Sequence, residues 1–227
     1  MKLALFDLDH TLLNGDSDVA WADYLMDRGV LNPAIHRAQS EAFYESYQKG
    51  TLDIQAWLRF QLEPLTRYPL ETLYEWRQEF IEANIRPLLL EDGIKTIERH
   101  RAEGAEVVMV TATNDFVTEP IAGLLGITEL IATQAERASD GRYTGQAFGT
   151  PSFREGKITR LHEWLSKKGR ALEEYSSVWF YSDSHNDIPL LSMVNHPVAV
   201  NPDATLLKHA RELGWTVADF KQEGLST

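Results

Sequence analysis

Four short apolar runs in this chain stop abruptly at a polar residue. Lys2–Phe6 gives way to Asp7, Ala105–Val110 to Thr111, Ser177–Tyr181 to a segment carrying Asp183, and Pro197–Val200 to Asn201. Each run is rich in Val or aromatic residues. Stretches of helical periodicity, such as Ile94–His100 and Ile158–Leu165, separate them. Strands alternating with helices predict a parallel sheet in an α/β fold. Open sheets of this kind bind ligands beyond the carboxyl ends of their strands, so the polar stops are where chemistry is expected. From Ile127 to Phe148 the pattern turns β-like, and Asp140-Gly141 predicts a hairpin between Ile131–Arg137 and Arg142–Phe148.

The stretch from Asp16 to Pro87 follows a different pattern, with helical periodicity over Val19–Met26, Pro33–Gln48, Asp53–Leu62 and Leu70–Ile85. Pro33 and Pro69 sit near helix starts, Asp53 is placed as an N-cap, and Gly29 and Gly50 as stops. The expected division is a sheet domain of residues 1–15 and 88–227, with an all-helical insert of residues 16–87 lying over the strand ends. The insert is rich in aromatics, among them Trp21, Tyr24, Tyr47, Trp57 and Phe80, most of which are expected to fill its core.

The bulk numbers narrow the partners. With 43% hydrophobic and 25% charged residues, the 227-residue chain has the balance of a soluble globular protein. Its formal net charge is -12, from 34 acidic against 22 basic residues. Such a surface repels phosphate backbones and anionic lipid, so neither nucleic acid nor membrane is an expected partner. An anionic substrate would need a cation built into its site. The absence of cysteine excludes disulfides, thiolate metal sites and cysteine nucleophiles. Asp7 and Asp9 interrupt the first apolar stretch too early for a signal-peptide core, and the expected location is the cytoplasm.

Four groups of residues carry the chemistry. Asp7-Leu8-Asp9 puts two carboxylates at a strand end, a costly arrangement unless a proton or cation is shared. Mg²⁺, which prefers oxygen ligands, is the natural compensation. In Tyr181-Ser182-Asp183-Ser184-His185-Asn186-Asp187, Asp183 is placed to reach a metal shared with Asp7. Asp187 is placed to hold a metal-bound water or a lysine, and it also suits a helix N-cap. In Val110-Thr111-Ala112-Thr113-Asn114, a strand is expected to end in hydroxyls and in the exposed N–H groups of an approaching helix, which bind phosphate oxygens. Lys157 falls in the first turn of an expected helix, against the helix dipole, which makes sense if its ammonium neutralises phosphate and aspartates.

In order, spacing and strand context, DLDHTLL, VTATN, the lysine of REGKITRL and YSDSHNDIPLL resemble the four motifs of the haloacid dehalogenase superfamily of phosphohydrolases. The helical insert resembles a type 1 cap. The whole is similar to the phosphoserine-phosphatase-like branch, which also contains histidinol-phosphate phosphatases. The resemblance implies a Rossmann-like core in which Asp7 attacks phosphorus to give an aspartyl-phosphate that water hydrolyses. Asp9 would protonate the leaving alkoxide and then take a proton from the water. Mg²⁺ would be held by Asp7, the Asp9 backbone carbonyl and Asp183. Thr111, Ala112 and Thr113 would bind phosphate, with Lys157 offsetting charge. Dehalogenase members lack the second aspartate, so phosphate chemistry is implied.

The implied substrate is a small phosphorylated metabolite, with phosphoserine and histidinol phosphate foremost. Asp16 resembles an acidic substrate-amine contact, although a Glu is usual there, and it equally suits the N-cap of the first insert helix. Arg59 is one candidate, among six insert arginines, for a substrate carboxylate. A phosphotransferase or phosphomutase using the same aspartyl-phosphate is the alternative within enzymes, and a non-catalytic phosphate sensor is the alternative outside them.

Overall fold

The computed structural model describes residues 1–49 and 51–221. Gly50, placed as a helix stop, lies outside the described residues. Among these, seven strands form one sheet. They are β1 (Lys2–Phe6), β2 (Ala105–Asn114), β3 (Glu129–Arg137), β4 (Tyr143–Phe148), β5 (Ser177–Ser182), β6 (His196–Val200) and β7 (Thr216–Ala218), in the order β4-β3-β2-β1-β5-β6-β7. All neighbours are parallel except β3 and β4, the expected hairpin. The architecture is Rossmann-like α/β with a helical insert after the first strand.

β1 lies in the centre because it is apolar on both faces, and Leu3 to Phe6 are fully buried. Leu5 pairs with Val108 on one side and Phe180 on the other. The chain winds outward from β1 through β2 and β3, then returns to lay β5 on the opposite side. The order therefore reverses beside β1, and Asp7 leaves the sheet at that reversal point. Asp7 N–H still donates to the Tyr181 carbonyl at 2.9 Å, which ties the strand ends together.

Helices cover both faces. On one, Leu3, Leu5 and Phe180 meet Leu161 and Leu165 of α7 (Glu155–Lys167), Leu190 of α8 (Ile188–Leu191) and Leu206 of α9 (Ala204–Leu213). On the other, Ala4, Phe6 and Met109 join one core with Ile97 of α5 (Glu91–Ala102) and Phe116 of α6 (Asp115–Leu124). The same core takes in the insert helices α1 (Ser17–Asp27) and α4 (Leu70–Phe80) through Trp21, Tyr24 and Phe80. The other two insert helices are α2 (Pro33–Gln48) and α3 (Ile54–Leu62). Asp16, Asn32 and Asp53 cap α1, α2 and α3 by accepting from first-turn N–H groups, and Gly29 follows α1 at a φ of +71° that other residues rarely adopt.

Three expectations need correction. The strand placed at Ala105–Val110 runs on to Asn114, with its pairing to β3 shifted between Val110 and Asn114. β-Branched Thr111 and Thr113 favour extended backbone, and the helix starts only once Asn114 caps it, accepting from Val117 N–H. The helix expected over Leu70–Ile85 ends as α-helix at Phe80. A wider π-type segment at Ile81–Ile85 and a tight turn at Arg86–Leu88 follow, and the turn contains Pro87, which has no N–H to extend the ladder. β7 had no counterpart in the expectations, because three residues are too few to show alternation.

Among the described residues no helix is long and apolar enough to cross a membrane. Phe80 is fully buried, with its ring 5.1 Å from Trp21 and 5.6 Å from Tyr24, so it joins the two insert helices that share the sheet's core. Phe80→Ala is expected to cost about 3–5 kcal/mol, read as a lowered midpoint in urea denaturation.

Candidate active site

Lys157 organises the floor of the site. The start of α7 is held in place from both sides. A side chain at Gly156 would collide with the Pro151 carbonyl oxygen, so only glycine lets the helix begin there. Arg154, just before the helix, takes a φ of +52°, a strained value for a residue with a side chain. At the far end Lys168 pairs with Glu106 of β2 and Glu129 of β3. Thus fixed, Lys157 is 3% exposed, and its Nζ donates to Asp7 Oδ1 at 2.9 Å and to Asp187 Oδ2 at 2.6 Å. Ser182 Oγ donates to the same Asp187 oxygen at 2.6 Å. Burial pulls the Lys157 pKa down, but Asp187 and Asp7 together outweigh it and hold the ammonium charged.

The aspartates repel one another. Burial lifts Asp7 to about 6 despite Lys157, with Asp187 adding to the rise. Burial, then Asp7 and Asp187, pushes Asp183 up to about 8, and its hydrogen-bond donor is Thr11 Oγ1 at 3.4 Å. Asp9 accepts from Ser17 N–H at 2.6 Å and from Thr113 Oγ1 at 2.9 Å. Asp18 Oδ2 also lies 3.2 Å from the Thr113 hydroxyl, while Asn114 Nδ2 donates to Asp18 Oδ1 at 3.2 Å. One hydroxyl proton serves only one of the two carboxylates. Burial first, then neighbouring carboxylates, accordingly raises Asp9 well above the usual range and Asp18 to about 7. This favours a proton on the Asp9–Asp18 pair.

These groups open into a cavity of about 680 Å³ between the strand ends and α1, α2 and α3. Asp7, Asp9, Asp16, Thr111, Ala112, Thr113, Lys157, Asp183 and Asp187 all line it, so the structure brings together nearly every residue singled out in the sequence. Asp16 does so while capping α1, accepting from Val19 N–H at 2.9 Å. Thr111 and Thr113 reach the site from the irregular end of β2 rather than from a helix start. Arg59 is the exception. Helix α3 turns Ile54, Trp57, Leu58 and Gln61 to the cavity at helical spacing, which leaves Arg59 on the exposed side. The cavity's arginine is Arg37 of α2, which forms no ion pair among the described residues. Trp21, Tyr24 and Phe80 fill the core as expected, but Phe43, Tyr44, Tyr47 and Trp57 wall the cavity. Sequence reasoning missed Asp18, Asp23, His36 and Arg37. Asp18 carried a signal, since Asp16-Ser17-Asp18 repeats the spacing of Asp7-Leu8-Asp9.

The donors also bear on a metal. Among the described residues no three carboxylate or imidazole side chains converge as a closed metal cluster. Two carboxylates, Asp7 and Asp183, face the cavity with more negative charge than Lys157 offsets. Oxygen donors few in number suit Mg²⁺, which keeps several waters and binds through one or two carboxylates and substrate phosphate. The residues present fit that ion.

A family model described as haloacid dehalogenase-like hydrolase matches residues 4–192. The chain belongs to the haloacid dehalogenase-like hydrolases. A histidinol-phosphatase of Neisseria meningitidis serogroup C is 50% identical over 220 residues, 97% of this chain and 99% of that protein. A phosphoserine phosphatase of Mycobacterium tuberculosis is 31% identical over 224 residues, 96% of this chain and 70% of that one. This hydrolase is an enzyme of the phosphatase type. A crystal structure of a Bordetella pertussis protein of unknown function superposes with a TM-score of 0.92 at 45% identity, covering 96% of this chain and 98% of that one. A substrate-bound phosphoserine phosphatase shares the fold at a TM-score of 0.66 and 21% identity, over 98% and 94% of the two chains.

Two measurements probe this geometry. Gly156→Ala is expected to displace the start of α7 and lower both the melting temperature and the turnover, the latter because Lys157 moves with the helix. For Asp183 the folded pKa lies above the unfolded one, so the fold holds the proton longer. Its stability then falls as pH rises from about 4 to about 8 in the metal-free protein. Asp183→Asn removes that loss, and in EDTA it is expected to melt above the parent by a margin that widens from pH 5 to pH 8.

Proposed function

We propose that this phosphatase is a Mg²⁺-dependent phosphomonoesterase that works through an aspartyl-phosphate on Asp7, with histidinol phosphate as the favoured substrate. The observation that carries the chemistry is the buried Lys157 ammonium shared by Asp7 and Asp187 under an otherwise acidic cavity. It is the local cation that a chain of net charge -12 needs in order to receive a phosphate. Lys157 also holds Asp7 Oδ1, fixing the carboxylate that is to attack phosphorus. That attack splits one hard displacement into two easier ones.

Asp9 is the proton donor to the leaving alkoxide, because the Asp9–Asp18 pair holds a proton around the single Thr113 hydroxyl. The resulting carboxylate then takes a proton from the water that cleaves the aspartyl-phosphate. Thr111, Ala112 and Thr113 line the phosphate end, and Asp187 keeps Lys157 oriented. Asp7 and Asp183, with the Asp9 backbone carbonyl, would hold Mg²⁺, which when bound supplies charge stabilisation to the transferring phosphoryl group. Residues 16–87 act as the cap and residues 1–15 and 88–227 as the catalytic core. The expected setting is the cytoplasm, with no nucleic-acid or membrane partner.

The substrate reading rests on the upper cavity. Asp16, Asp18 and Asp23 line it alongside Phe43, Tyr44 and Trp57. Acids and aromatic faces suit an alcohol that carries an amine and an imidazole. The 50% identical Neisseria relative bears the name of that activity. Phosphoserine is the second reading, and Arg37 at the cavity favours it by offering a charge for a carboxylate. A screen of phosphate release over small phosphomonoesters, including both, decides between them. Transfer of phosphate to added alcohols at the expense of release would instead indicate a phosphotransferase.

Asp7→Asn is expected to fold normally and lose turnover by roughly 1,000-fold or more, the scale of removing a nucleophile. Retention of a tenth of the parent rate would remove Asp7 from that role. EDTA is expected to silence the enzyme and added Mg²⁺ to restore it, with activity that survives thorough metal removal speaking against the ion.

A further inference from the structure

The cavity continues past the reaction centre along α1. Asp16 and Asp18 open that helix, and their charges bear on Asp9. Asp23 lines the same cavity five residues beyond Asp18, and its charge bears instead on His36 of α2. At the rise of an α-helix the step from Asp18 to Asp23 is about 7–8 Å. The acids of α1 therefore form two stations, one beside the proton donor and one farther out.

His36 marks the outer station. It lines the cavity yet is only 8% exposed, with Phe60 covering one ring face at a centroid distance of 4.5 Å. Its Nδ1 lies 3.5 Å from Ser40 Oγ, at the limit of a hydrogen bond, and its Nε2 makes none among the described residues. Burial lowers its pKa against the pull of Asp23, so the ring is neutral at neutral pH. Nε2 is not sealed from the cavity, so it is open to a hydrogen-bonding group bound there. Phe43 and Trp57 wall the same cavity, and both pack against Phe60.

We propose that His36 and Asp23 form the distal end of the substrate site and bind a nitrogen heterocycle of imidazole type carried by the leaving alcohol. The inference rests on the histidinol-phosphate reading and assigns the two residues that select the ring. An imidazole offers ring nitrogens of both donor and acceptor character. The Asp23 carboxylate accepts from one, and neutral His36 supplies whichever role the other requires. Phe43 and Trp57 cover the ring's face. The substrate's amine then falls at the inner station, near Asp16 and Asp18. A substrate lacking the ring forgoes these contacts, so the station selects by the binding it adds to a ring-bearing alcohol.

The test measures phosphate release by the parent enzyme, Asp23→Asn and His36→Phe on two substrates. One is histidinol phosphate, and the other is O-phosphoethanolamine, which has the phosphate and amine but no ring. Asp23 is exposed, so its Asn variant probes the site without endangering the fold. For histidinol phosphate each variant is expected to raise KM at least ten-fold with kcat little changed, while kcat/KM for O-phosphoethanolamine stays within about two-fold. Free histidinol should inhibit both variants at least ten-fold more weakly than the parent. A parent that hydrolyses histidinol phosphate alongside unchanged variants overturns this inference alone. Equal losses on both substrates also overturn it, because the residues then serve the site at large. A parent that releases phosphate from O-phosphoethanolamine but not from histidinol phosphate overturns the substrate reading and this inference with it.

Discussion

One buried ammonium holds this site together. Lys157 lies between Asp7 and Asp187 with almost no exposure, and each carboxylate is placed by a different part of the chain. Taking such charges out of water costs several kcal/mol per ion, and removing one partner of a buried pair typically costs about 3–5 kcal/mol. The arrangement is therefore tolerated only because the ends of β1, β5 and α7 are all fixed relative to one another. The tie from Asp7 N–H to Tyr181, the glycine at 156 and the Lys168 pairs with Glu106 and Glu129 supply that fixity. By contrast, exposed pairs such as Arg86–Glu82 and Lys95–Glu91 contribute little.

The site is deliberately short of positive charge. Asp7, Asp183, Asp9 and Asp18 all have pKa values pushed upward, with burial as the leading cause in each. The excess is divided between two places. Around Asp7 and Asp183 it leaves room for a divalent cation, and around Asp9 and Asp18 it leaves room for a proton. On the proposed mechanism the two deficits would meet the two needs of phosphoryl transfer, neutralised phosphate oxygens and a protonated leaving group. Local destabilisation and function share one origin here.

The insert extends the same logic outward. α1 and α4 share the core beneath the sheet, while α2 and α3 contribute mainly aromatic and polar faces to the cavity. A roof that is acidic near the reaction centre and aromatic farther out is the feature on which the proposed cationic, ring-bearing alcohol rests. Arg37 is its cation, and it sits where the cavity meets solvent.

The residues alone indicate a parallel sheet and the polar strand ends that line its cavity. Apolar runs that break at Asp7, Thr111 and Asp183 mark the carboxyl-terminal parts of strands, although β2 continues to Asn114, and parallel strands of one sheet run out on the same side, which brings those residues together. Lys157 stands out by its place against a helix dipole and by the resemblance that the lysine of REGKITRL carries, whereas its burial between Asp7 and Asp187 comes with the fold. Caps at Asp16 and Asp53 were equally local, since a cap bonds within its own first turn. The phase of each insert helix was not local. Whether Arg59 or Arg37 faces the cavity depends on which side of α3 and α2 packs inward, and one residue of rotation turns a side chain by about 100°. The continuation of β2 to Asn114, the pairing of Asp18 with Asp9 across Thr113, and the meeting of Asp23 with His36 likewise arise between segments distant in sequence. Spacing along a chain sets which residues can end a strand or cap a helix, and only packing sets which of them share a proton or a wall.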